Sequence, residues 1–89
     1  MNYLTIISDF AAWLTWLELK GILGKPFDGI RPKQIDELIW QAEKIDQGLV
    51  SFLWIMWFRI VEGENFQVLM GEINSLAEKY RLGEKKQDA

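Results

Sequence analysis

The sequence predicts an all-α fold: a three-helix protomer with a long central helix over about residues 32–62, paired with a second copy as a homodimer. Three observations predict it. Apolar residues recur at three- and four-residue steps in every long segment, the mark of helices with one buried face. In the central segment that phase runs across Gly48 without a slip. Finally, Leu49–Val61, read LVSFLWIMWFRIV, is apolar at every position except Ser51 and Arg59, so the rest of the chain must cover it.

The 89 residues make one small domain, expected over residues 1–82 with 83–89 as a solvated, disordered tail. Hydrophobic residues make up 49% and charged residues 26%, too apolar a balance for a disordered chain. Five Trp, five Phe and two Tyr are a heavy aromatic load for so small a core. The chain has neither cysteine nor histidine, which removes disulfides, thiolate sites, the commonest general base and the commonest transition-metal ligand. A net charge of −3 argues against a partner as anionic as duplex nucleic acid. No Lys or Arg precedes Lys20 and Asp9 interrupts the first apolar run, so a signal peptide is not expected. Leu49–Val61 is shorter than the roughly 20 residues a membrane helix needs. The expected setting is cytoplasmic.

Residues 3–20 read as the first helix. Tyr3, Ile6, Ile7, Phe10, Trp13, Leu14 and Leu17 share one face, Asn2 is placed to cap the start and Gly21 to stop the end. Ala11, Ala12, Trp16 and Leu19 widen the apolar side, so this helix touches more than one neighbour. Residues 21–31 form a loop punctuated by three glycines and Pro26, with Asp28-Gly29 as a turn. Ile22, Leu23, Phe27 and Ile30 are apolar enough to pack it down. Pro32 suits the first position of the next helix.

Periodicity then decides between one helix and two. Ile35, Ala42, Leu49 and Met56 fall seven apart, as do Leu38, Ile45 and Phe52. A loop at Gly48 has no reason to keep that phase, so one helix is expected over 32–62. The β propensity of Val, Ile, Trp and Phe favours a strand over 49–61, but thirteen residues is long for a strand and the shared phase argues against it. After Gly48 a second apolar side appears, formed by Val50, Trp54, Trp57, Phe58 and Val61. Residues 63–65 make a turn with Asn65 as the next cap, and residues 66–82 form the cleanest amphipathic helix, its face Phe66, Leu69, Met70, Ile73, Leu76, Ala77 and Tyr80. Gly83 is expected to end it.

A helix over 32–62 is roughly 46 Å long, against roughly 30 Å for a compact globule of this chain length. It overhangs a monomer, and its second apolar side makes a patch that monomers rarely leave in water. Val50, Trp54, Trp57, Phe58 and Val61, with Arg59, are therefore the expected interface of a homodimer. The competing expectation is that the first helix folds over that side.

No constellation points to catalysis. Asp36/Glu37 and Glu43/Asp46 are paired carboxylates on the wet half of a helix, without the burial that sets an acid apart from a base. Ser8-Asp9 has no base to activate the hydroxyl. Gly21-Ile-Leu-Gly24 has the spacing of a GxxG phosphate clamp, but no strand flanks it and it lacks the P-loop pattern. Arg59 is expected to pair with Glu62 one turn on, or with an acid on another chain. Trp40 stands among charges; it either packs against Phe27 and Ile30 of the chain's own loop or serves as the anchor for a protein partner. No cofactor, metal or nucleic acid is expected. The expected function is a non-catalytic protein–protein interaction module, such as an adaptor, regulatory subunit or protein inhibitor. The alternative is a peripheral membrane protein that lays Trp54, Trp57 and Phe58 at the lipid interface, disfavoured by the acidic net charge.

Overall fold

The computed structural model describes residues 2–26 and 31–88, with side chains as far as Arg81. Among these residues the chain is all-α, in four helices: α1 (Tyr3–Leu19), α2 (Lys33–Glu43), α3 (Gln47–Glu62) and α4 (Phe66–Asp88). The three-helix count is corrected, because the expected long helix is two helices meeting at a corner.

The corner is local. The N–H groups of Ile45 and Asp46 both donate to the Ala42 carbonyl at 2.9 Å, so the last turn of α2 persists up to Asp46. Asp46 is extended (φ −164°, ψ 131°), and its carboxylate accepts the Leu49 N–H at 3.2 Å. The helix restarts at once, with Val50 N–H donating to the Asp46 carbonyl at 3.3 Å. Gly48 lies inside the first turn of α3 and breaks nothing. The apolar phase survives because α2 and α3 bury one stripe in one shared interior: Ile35, Ala42, Leu49 and Met56 are all fully buried. Phase reports which residues are covered, and it does not report that the helix between them is continuous.

The other boundaries follow local chemistry. The Asn2 side chain accepts the Thr5 N–H at 2.9 Å and caps α1. At its far end Gly21 takes φ +72°, with Gly21 N–H donating to Glu18 and Ile22 N–H to Leu17, the paired bonds of a Schellman end. Gly63 closes α3 the same way at φ +97°, its N–H donating to Ile60 and that of Glu64 to Arg59. Asn65 caps α4 by accepting the Val68 N–H at 3.0 Å. Pro32 stands one position before α2 rather than inside it. The helical backbone of α4 passes Gly83 and runs to Asp88.

α1 packs against α2 and α4, and α2 packs in turn against α3. The core draws on all four helices: Phe10 and Leu14 from α1, Ile35 and Ala42 from α2, Leu53 and Met56 from α3, Leu69 and Ile73 from α4. Ile22 and Leu23 fold onto it, as expected of the loop, while Phe27 and Ile30 lie outside the described residues. The chain measures 45 × 24 × 18 Å. At 16 residues α3 is only about 24 Å long, so it does not overhang the protomer. Helix length therefore gives no reason for a second copy. Any such reason must come from the surface.

Candidate interaction surface

The six residues expected at an interface divide by their position around α3. Val50 and Trp57 point inward and are 8% and 6% exposed. Trp57 lies against Trp13 of α1, ring centroids 6.5 Å apart, so the first helix covers the Trp57 edge of that side. Trp54 and Val61 are half-buried on the flank, and Phe58 is 57% exposed. Trp54 and Phe58 stack with centroids 6.1 Å apart, and the Arg31 guanidinium sits over the Trp54 ring at 4.7 Å. The surface these residues leave for another molecule is thus Phe58 with the edge of Trp54.

Ile55 extends it. This residue is 56% exposed and stands on the lip of a groove of about 390 Å³ between α3 and α4. Phe52, Met56 and Leu76 line the groove, and Ser75 and Lys79 border it from α4. The groove exists because α3 and α4 are held together at its end, where Arg59 donates to Glu72 and, at 3.4 Å, to Glu64. The hydrogen bond to Glu72 is the largest influence on Arg59 and raises its pKa above an already high ordinary value. The charge of Arg59 is therefore fixed, and it is answered by acids of its own chain. The expected Glu62 is not its partner.

Trp40 lies on α2, 57% exposed, with the Lys44 ammonium 3.5 Å from its ring centroid. The loop residues that would compete for it, Phe27 and Ile30, lie outside the described residues. The acidic pairs are occupied structurally on one member each: Asp36 pairs with Arg31, and Asp46 caps α3. Among the described residues no three Asp or Glu gather as a metal site would require.

Sequence reasoning missed two features. One is Glu72: nothing local to Arg59 indicates an acid thirteen residues on. The other is Asp46, which in the sequence looks like half of a carboxylate pair. Its signal was available, because Asp three residues before the apolar Leu49 is a start pattern, but periodicity overrode it. The Tyr80 hydroxyl also donates to Asp46, at 3.4 Å, and Tyr3 stacks on Tyr80 at 4.4 Å. The corner is thereby tied to both α1 and α4. Comparison with protein-family models, with curated proteins and with solved structures finds no match for this chain.

Proposed function

We propose that this chain is a non-catalytic protein–protein interaction module, an adaptor, regulatory subunit or protein inhibitor, that acts as a homodimer. The observation that supports it most is where the large apolar side chains stand. Trp16, Leu19, Trp40, Ile55 and Phe58 are exposed although the core is closed without them. Tryptophan above all is enriched at the hot spots of protein interfaces. Two separate surfaces are served: the outer side of α3, around Ile55 and Phe58, for self-association, and Trp40 on α2 for a different protein.

Light scattering over a concentration series tests the first, with a mass approaching twice the chain's expected at high concentration. Affinity capture with a Trp40→Ala control tests the second: a partner retained equally well by the variant removes Trp40 from the reading.

One observation favours a second reading. Three exposed or half-exposed tryptophans each carry a cation, Lys20 at Trp16, Arg31 at Trp54 and Lys44 at Trp40, a pairing suited to a lipid headgroup layer. No helix of the described residues is long and apolar enough to cross a membrane, so such contact is peripheral. Co-sedimentation with anionic vesicles separates the readings, since the interaction module stays in the supernatant.

A further inference from the structure

We propose that α3 docks antiparallel against α3 of a second copy of this chain, about a two-fold axis beside Ile55, with Glu62 of each copy reaching Lys79 of the partner subunit. This rests on the homodimer reading above and names its contact.

At roughly 100° per residue, Ser51, Ile55, Phe58 and Glu62 share the side of α3 turned away from the core, and all four are exposed. The charges beside this face choose the occupant. α4 runs antiparallel to α3, since Arg59 meets Glu72 at one end and Asp46 meets Tyr80 at the other. Lys79 therefore borders the groove near the start of α3, beside Phe52, whereas Glu62 stands at its end. Neither is in an ion pair among the described residues. They lie roughly 15 Å or more apart along the helix, too far to meet within one chain.

A two-fold axis at right angles to the helices exchanges the two ends. It brings Glu62 of each copy opposite the start of α3 in the other, next to Lys79 of the partner subunit, and makes the contact twice. A parallel copy instead sets Glu62 beside Glu62. The antiparallel arrangement also opposes the two helix dipoles and places a carboxylate near each helix start. The apolar residues fit the same axis. Ile55 meets its own copy, and Phe58 falls within about one residue's rise of Ser51 of the partner subunit, whose small side chain leaves room for the ring beside Trp54. The contact is one helix wide with the shoulder of α4, at or below the roughly 800 Å² per partner of a standard interface, so association is expected at roughly tens of micromolar.

The chain has no cysteine, so single cysteines report the geometry. In the 89-residue chain above the dimerisation concentration, Ile55→Cys is expected to cross-link to itself with a short bismaleimide. Gln47→Cys is expected not to, its two copies lying roughly 24 Å apart along the axis. Glu62→Lys and Lys79→Glu should each weaken association roughly tenfold, since the pair is made twice, and the double reversal should restore it. Circular dichroism and thermal melting check that each variant folds. A dimer that cross-links through Gln47→Cys, or whose charge reversals do not compensate, overturns this arrangement and leaves the homodimer standing. A chain that stays monomeric at millimolar concentration overturns both.

Discussion

The two ends of α3 are both corners, and they are built in opposite ways. At Gly63 the backbone itself makes the turn: φ is +97°, and a Cβ there would lie 2.9 Å from the Lys25 carbonyl carbon and 3.0 Å from the Pro26 nitrogen. At Asp46 a side chain makes it. One extended residue interrupts the helix, and its carboxylate takes over the N–H that the interruption leaves free. The glycine near this second corner, Gly48, is not the breaker; a Cβ there would meet only the Asp46 carboxyl group, its Oδ2 at 2.8 Å. A corner made by backbone conformation announces itself as a glycine between two amphipathic phases. A corner made by a cap leaves the phase untouched.

The largest effect separates the two glycines. Gly63→Ala is expected to destabilise the fold by about 2 kcal/mol or more, from left-handed strain and from contact with a backbone that cannot swing aside. Urea denaturation measures it, and a loss under about 0.5 kcal/mol would deny the close approach. Next is Asp46→Ala, expected to lose about 1–2 kcal/mol through the cap, with the Tyr80 hydrogen bond lost as well. Gly48→Ala is expected to be smaller, because its gain in helix propensity is offset by displacing the Asp46 carboxylate. Combined with Asp46→Ala, which removes that obstacle, the same substitution should stabilise by about 0.5–1 kcal/mol. Strict additivity in that double-mutant cycle would mean the carboxylate does not fold over Gly48.

The smallest effect is a pH dependence. Burial, and then the Asp46 charge, raise the Tyr80 pKa above its ordinary value. The unfolded chain loses this proton first, so the contribution to stability is complete below about pH 10 and declines as pH rises toward the raised folded value. Denaturation midpoints between about pH 9 and 11 should fall more steeply in the native chain than in Tyr80→Phe. Equal slopes would show that neither burial nor Asp46 raises the Tyr80 pKa in the folded chain.

Much of the fold was legible because the covered stripe was. Every residue assigned to the inner face of the first helix is buried or half-buried, as is every one assigned to the last, and the caps at Asn2 and Asn65 stand where their side-chain chemistry placed them. The error at residues 44–46 has one cause: a seven-residue repeat is satisfied equally by a straight rod and by two helices that turn the same stripe into one core. The interface was legible only by half. A helical wheel shows that α3 is apolar on two sides, but whether Trp57 faces inward depends on Trp13 arriving from α1, which no local pattern contains. Arg59 was misread for the same reason, its acid lying on another helix.

That division leaves α3 with a side its own chain covers and a side that it does not, and the account depends on the second being a contact surface. Sedimentation equilibrium of the native chain beside Phe58→Asp tests this most directly, because Phe58 is exposed and its replacement leaves the core intact. The native chain should pass from monomer to dimer as concentration rises, while the variant, with an unchanged circular dichroism spectrum, remains a monomer. A native chain that is monomeric throughout, or a variant that dimerises as well as the native chain, would contradict it.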